Sequence, residues 1–153
     1  MADKKDDGAR QLITKNRRAV HDYIIEDRLE AGVVLLGSEV KSCRQGKAQL
    51  SDAYVQVKDG EAFLLNSHIA EYLPATRFNH APKRTRKLLL HKSEIDKLLV
   101  RLSQRGQTAV PLSMYFKDGR VKVEIGIGKG RAAVDRRELV KERESRREME
   151  RAL

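Results

Sequence analysis

The chain has 153 residues and a formal net charge of +10, from 32 Lys and Arg against 22 Asp and Glu. That length predicts one domain, and an apolar fraction of 40% supplies one modest core. No apolar run approaches the roughly 18 residues of a membrane span, Met1 to Gly8 is polar with no signal segment behind it, and the single Cys43 cannot close an internal disulfide. The expectation is a soluble, cytoplasmic protein in a reducing compartment.

A sequence pI near 9.9 with 35% charged residues points to a polyanionic partner. Solubility alone would not require clustering. Here Lys83 to Lys92 carries five basic residues and no acid, and Lys15-Asn16-Arg17-Arg18 forms a second knot. Clustered Arg favours nucleic acid.

In chain order, residues 1–15 lack periodicity and are expected to be flexible. Tyr23-Ile24-Ile25 and then Gly32-Val33-Val34-Leu35-Leu36-Gly37 read as short strands separated by an acidic stretch. Ser38 as N-cap and Gly46 as stop predict a two-turn helix that buries Val40 and Cys43 and leaves Lys41 and Arg44 outward. Tyr54 to Val57 and Ala62 to Leu65 flank Lys58-Asp59-Gly60-Glu61, a hairpin signal because Asp-Gly tolerates positive φ. A longer helix follows, with Ser93 as N-cap, Asp96 as its capping partner, and Ile95, Leu98, Leu99 and Leu102 as one apolar stripe ended by Gly106. Leu112 to Phe116 and Val121 to Ile127 flank Asp118-Gly119 as a second hairpin, with Val121, Val123, Ile125 and Ile127 on one face. Several antiparallel strands with one packed helix and a short helix predict a mainly β fold, a small closed OB-like barrel.

From Lys129 to Leu153 there are nine basic and six acidic residues with few apolar ones. Pairs such as Glu142/Arg146 favour a helix, but the apolar stripe is too thin to dock. This tail is expected to be disordered alone and helical when bound to a polyanion. The domain reading is a flexible 1–15, a barrel at 16–130 and a basic tail at 131–153.

No catalytic constellation emerges. His21, His68, His80 and His91 show no metal-ligand spacing, and His21 and His80 read as surface or RNA-contacting residues. Ser42 and Cys43 lack a nucleophile elbow. Gly126, Gly128 and Gly130 have the wrong spacing for a dinucleotide loop and read as close backbone approach or a strand-ending bend. The chain is expected not to be an enzyme.

Asn16-Arg17-Arg18-Ala19-Val20-His21-Asp22-Tyr23, Glu30-Ala31-Gly32 and Gly37-Ser38-Glu39-Val40-Lys41-Ser42 occur in order. They are followed by Arg44-Gln45-Gly46-Lys47-Ala48, Asp52-Ala53-Tyr54, Arg84-Thr85-Arg86-Lys87-Leu88-Leu89-Leu90, Lys129-Gly130 and Asp135-Arg136-Arg137. Together they closely resemble the SsrA-binding protein family, also called small protein B, over all but the first dozen residues. The resemblance implies a trans-translation factor without cofactor. It would bind the tRNA-like domain of transfer-messenger RNA (SsrA RNA) through an OB-fold barrel and deliver it to stalled 70S ribosomes. Alanyl-tRNA synthetase and elongation factor Tu would be indirect partners, and no membrane is implied. The tail would enter the decoding centre and the empty mRNA channel of the small subunit as a helix, standing in for codon–anticodon pairing.

The resemblance places Asn16, Arg17, Arg18, His21 and Glu30 on an RNA-facing surface, with Lys41, Arg44 and Lys47 beside it and Lys129 at its margin. Glu30 is an acid in a basic face, so it would accept from a base or 2′-OH, or else form a strand-end salt bridge. Arg84, Arg86 and Lys87 would bind phosphates. Leu89 either points outward against a base or ribose, or lies in a strand covered on both faces. In the tail, Arg131, Asp135, Arg136, Arg137 and Lys141 would touch the ribosome. Asp135-Arg136-Arg137 replaces the family's Asp-Lys-Arg, Val134 replaces an aromatic or His, and the usual tryptophan is missing, which leaves channel contacts to Arg143, Arg146 and Arg147. Two other classes are weighed. A general single-strand binder would use surface aromatics, which are few here and fall partly at core positions. A phosphodiester-processing enzyme would need paired carboxylates or a metal cluster, which the sequence does not offer.

Overall fold

The computed structural model describes residues 10–131 and 143–151. Residues 1–9 of the expected flexible segment 1–15 and the tail residues Val134, Asp135, Arg136, Arg137 and Lys141 lie outside the described residues. The fold is mainly β and antiparallel, with few helices.

The N-terminal segment contributes a strand after all: β1, Arg10–Lys15, pairs with the last part of β8, Gln107–Lys117. Its sequence shows no alternation because only Ile13 and Thr14 are partly buried at this edge. Helix α1, Arg17–Asp22, is capped by Asn16, whose Oδ1 accepts from Ala19 N at 3.1 Å. Strand β2 runs unbroken from Tyr23 to Val33, through the acidic stretch that suggested an interruption. Glu26, Asp27 and Arg28 stay in solvent there, and the residue-period shift at Ile25/Asp27 is a bulge against β9, Arg120–Gly130.

Helix α2, Gly37–Arg44, begins one residue before the expected cap. Glu39 Oε1 accepts from Leu36 N at 2.7 Å, so a glutamate at the third helical position caps the end that Ser38 was expected to cap. Cys43 is buried as expected, while Val40 is only half-buried and Glu39 takes the fully buried place. After the short strand β3, Ala48–Gln49, the strands β4, Tyr54–Lys58, and β5, Glu61–Leu65, form the expected hairpin. Asp59 and Gly60 have φ of 52° and 75°, and Asp118 and Gly119 repeat those values between β8 and β9. Strand β6, His68–Ile69, pairs with β3, and a 3-10 turn at Leu73–Phe78 leads to β7, Arg86–Leu89.

Helix α3 spans Lys92–Ser103. Its start is His91, with Glu94 Oε1 accepting from His91 N at 3.0 Å, rather than Ser93 with Asp96. The stripe is narrower than four leucine-type positions: Leu98 is fully buried, Ile95 and Leu102 are partly buried, and Leu99 is 51% exposed.

The main sheet has seven strands in the order β1-β8-β9-β2-β7-β5-β4. Its ends, β1 and β4, are not joined, so the expected closed barrel is not found among the described residues. The reason lies along β8. Its free edge is taken by β1 from Ser113 onward, and Asn16 binds Leu112 O through its backbone N–H at 2.8 Å and Pro111 O through Nδ2 at 2.8 Å. Only the first residues of β8 face β4, and α3 covers that seam: Leu99 and Leu102 line one cleft with Val55, Val57 and Ala109.

The glycine run at the end of β9 is close backbone approach. A Cβ on Gly128 would lie 1.9 Å from Ile24 O. The core gathers inward residues of every strand of the main sheet, β1 contributing the partly buried Ile13, with Leu64, Leu88, Leu98, Met114 and Ile125 fully buried. Each such side chain contributes about 1.5–3 kcal/mol by leaving water. Leu98→Ala is expected to cost about 2–5 kcal/mol in urea unfolding, and Leu99→Ala, half exposed at the seam, about 1 kcal/mol.

Candidate nucleic-acid interface

A carboxylate organises one half of the basic surface. Glu39 is fully buried and pairs with two arginines of the basic stretch: Arg84 Nη2 donates to Oε1 at 2.6 Å, and Arg86 Nε donates to Oε2 at 2.6 Å. Arg86 is also fully buried, and its remaining donors go to Ser67 O and Oγ at 2.7 and 2.9 Å and to Pro82 O at 3.1 Å. Arg86 therefore has no free donor for a phosphate. Alternation along β7 turns it inward with Leu88, while Lys87 and Leu89 point out. Arg84 is about one third exposed and also reaches Val34 O at 3.3 Å. Lys87 is exposed and pairs with Glu61 at 3.1 Å.

The other half is the outward face of the sheet. Leu12, Tyr115, Lys122, Gly32 and Leu89 lie in register across β1, β8, β9, β2 and β7. Leu89 is 54% exposed, which decides between its two sequence readings. Gly32 makes room for it, since a Cβ there would stand 3.2 Å from that of Leu89. Next along β2 is Glu30, opposite Glu124 of β9. Two acids in register repel, and each is compensated: Arg28 Nη1 donates to Glu124 at 2.9 Å, and Glu30 accepts from Tyr115 Oη, from Arg10 Nη2 at 3.2 Å and from Lys117 Nζ at 3.4 Å. Burial pushes the Glu30 carboxyl up, but donation from Tyr115 and Lys117 and the charges of Lys117 and Arg10 outweigh it and hold it below the usual glutamate value. Burial first, and then Glu30 itself, push the Tyr115 hydroxyl up, so it stays a donor. The salt-bridge alternative for Glu30 is thus the arrangement found, enlarged to a network.

Asn16 does not face solvent. It is buried, and its side chain also donates to Leu50 O at 3.0 Å, so its polar atoms tie α1 to β8 and to the segment after β3. Arg17 and Arg18 are exposed on α1; Arg18 is held by Asp22 and Asp52, and His21 contacts Asp22 at 3.0 Å. Ala19 covers Val110 and Leu112, so α1 closes that end of the outer face. Lys41, Arg44 and Lys47 are exposed on and just after α2 and make no ion pair among the described residues. Lys129 is half-buried beside Ile24, and Arg131 is exposed. Residues 143–151, including Arg143, Arg146 and Arg147, are helical and exposed.

His80 corrects its sequence reading as a surface residue. It is buried, with Nε2 against Ile69 O at 2.9 Å and Nδ1 against Ser38 Oγ at 2.8 Å. A carbonyl can only accept, so the proton is on Nε2 and the serine hydroxyl donates to Nδ1. Lys122 and Tyr115 were missed. The alternation of β9 already sets Lys122 on the solvent face, but only the register with β2 and β8 brings it between Tyr115 and Gly32, in the row of Leu89 and one step along from Glu30.

The buried pair sets a stability prediction. Arg86→Ala would leave Glu39 with Arg84 as its one cationic partner and is expected to cost about 3–5 kcal/mol, read from the urea midpoint. Burial raises the Glu39 carboxyl, and donation from Arg84 and Leu36 N–H and the charge of Arg86 lower it further, to below 4.5. Its contribution to stability is therefore complete above that value and is lost as pH falls through the lower folded value. Acid unfolding of the wild type should lose this contribution below about pH 4.5, and Glu39→Gln should flatten that part of the profile.

The family model described as SmpB protein matches residues 13–153. An SsrA-binding protein of Symbiobacterium thermophilum is 55% identical over 144 residues, 94% of this chain and 91% of that protein. One from Thermobifida fusca is 55% identical over 143 residues, 94% of this chain and 89% of that protein. A solved structure, "tmRNA-SmpB: a journey to the center of the bacterial ribosome", contains a chain 46% identical with a TM-score of 0.66, covering 76% of this chain and 82% of that one. The family model covers nearly the whole chain and these relatives are more than half identical to it, so the chain belongs to the SmpB protein family.

Proposed function

We propose that this chain binds the tRNA-like domain of transfer-messenger RNA and delivers it to stalled ribosomes for trans-translation, with no catalytic step of its own. The observation that carries the reading is the likeness to the tmRNA-SmpB chain at 46% identity. The surface supports it. Lys41, Arg44 and Lys47 offer charge that is not consumed by acids of the described chain, and Lys122 and Leu89 stand in one row beside Glu30. Phosphates would take the lysines and Arg44, and Leu89 would pack on an unpaired base or ribose. Glu30 orders Arg10 and Lys117 at the rim and keeps acceptor capacity toward a 2′-OH. Asn16 and Arg86 act from within, by holding α1 and the α2–β7 junction in place.

In this reading the RNA-binding unit is the OB-like sheet with its helices. It starts at β1 rather than at Asn16, and ends near Gly130. Residues 131–153 form the ribosome-binding tail, with Arg131, Asp135, Arg136, Arg137, Lys141, Arg143, Arg146 and Arg147 lining the decoding centre and mRNA channel. Alanyl-tRNA synthetase and elongation factor Tu are reached through the RNA.

Binding to transfer-messenger RNA across a salt series, with ordinary tRNA and an unrelated hairpin as competitors, tests the reading. Tight binding that survives excess hairpin is expected. The triple variant Lys41→Glu, Arg44→Glu, Lys47→Glu should weaken binding more than about tenfold and flatten the log–log salt slope by about 2–3. Equal competition by all three RNAs would sink the proposal. Truncation after Gly130 should leave affinity within about twofold while abolishing peptide tagging. Joint loss of both would refute the division into barrel-like unit and tail.

A further inference from the structure

The segment between β6 and β7 exposes more apolar surface than its anchoring requires. Leu73 is 79% and Phe78 75% exposed, at the two ends of one 3-10 turn. Their loop is not slack. Asn79 closes its neck through two bonds to Tyr72, accepting from the backbone N–H at 3.0 Å and donating to the carbonyl at 2.7 Å. Ala75 N donates to Tyr72 O at 2.9 Å, and the buried His80 follows immediately. On the incoming side, Ala70 N binds Lys47 O at 3.0 Å, and Ser42 Oγ donates to Ala70 O at 2.6 Å. The segment leading into the turn is therefore tied to Ser42 of α2 and to the backbone of Lys47 just after that helix.

The rings themselves are flanked by cations. The Arg77 guanidinium carbon lies 5.1 Å from the centroid of Phe78, and Lys41 Nζ lies 5.5 Å from that of Tyr72. Single exposed apolar residues are ordinary on a surface. A phenyl ring held out by a stapled neck, with a guanidinium beside it and an ammonium over the Tyr72 ring at the neck, is an arrangement that takes a nucleobase on its open face and the adjoining phosphates on its cations. A protein partner would be expected to meet acids and a deeper apolar cleft here; the charge favours RNA.

We propose that the Tyr72–Phe78 loop is a second RNA contact, a stacking platform on which Phe78 receives an unpaired nucleobase while Lys41 and Arg77 hold the flanking phosphates. This rests on the RNA-binding reading and adds to it a site away from the sheet row of Leu89, Lys122 and Glu30. It also qualifies the sequence argument that the few aromatics fall partly at core positions. Tyr115 is buried, but Phe78 is not.

The chain has no tryptophan, so Phe78→Trp installs a single reporter at the platform. Titration of the full-length variant with transfer-messenger RNA is expected to quench its fluorescence on the same isotherm as binding. Phe78→Ala should weaken binding about 5- to 150-fold with an unchanged salt slope, because no charge is removed. Phe78→Leu should show most of that loss. Thermal melting of each variant should match wild type, since the side chain is exposed. Wild-type affinity in Phe78→Ala or Phe78→Leu, or an unquenched Phe78→Trp that binds normally, would overturn the platform and leave the RNA-binding reading intact. Failure of the wild type itself to select transfer-messenger RNA over a hairpin would overturn both.

Discussion

Glu39 between Arg84 and Arg86 is the constraint on which the basic surface depends. A carboxylate and a guanidinium withdrawn from water cost several kcal/mol each unless their hydrogen bonds are complete. Here they are. Glu39 accepts from Leu36 N–H, Arg84 and Arg86, and Arg86 reaches Ser67 and Pro82 as well. The same groups join the start of α2 to the first residue of β7 and to the loop before it. Among the described residues no buried side-chain polar atom lacks a partner. An interaction of this kind does not add much net stability over an apolar replacement. It specifies which way α2 and β7 meet, and so where Lys41, Lys47, Lys87 and Leu89 emerge.

Asn16 plays the matching part at the other end of the sheet. One side chain caps α1 and holds carbonyls of Leu50 and Pro111. By occupying β8 there it keeps the sheet open, and α3 seals the gap with Leu98 and Leu102. Helix and sheet edge thus replace the missing ladder. The outward face is then divided. Ala19 covers Val110 and Leu112 under α1, and the part beyond it remains available for a partner.

Much of this was legible from local pattern. Both Asp-Gly hairpins, the inward face of β9, the extent of α3 and the burial of Cys43 follow from alternation, period and turn chemistry. Caps were less so. Ser38 and Ser93 look like N-caps, but Glu39 and Glu94 reach back to Leu36 and His91 and set each cap two residues earlier. The strand β1 was illegible because an edge strand buries little. Among the site residues, the outward course of Lys87 and Leu89 could be read from alternation in β7, and the same alternation turns Arg86 inward. A cluster of five basic residues hid that distinction, since composition counts charges without regard to the side of the strand they occupy.

The sequence by itself determined the basic character, the mainly antiparallel architecture and, through its ordered motifs, the family. These depend on composition and on neighbours two to four residues apart, which the chain carries wherever it goes. Only the tertiary structure decided which arginine is buried, that His80 is an anchor, that Glu30 sits in a network of Arg10, Tyr115 and Lys117, and that Phe78 stands in solvent. Each of those outcomes is fixed by a partner that is distant in sequence or by how the surrounding loop is tied down, with Arg86 and Glu39 47 residues apart and Tyr115 and Glu30 85. Desolvation makes such pairings obligatory once the chain has closed around them, and nothing in the local pattern announces them beforehand.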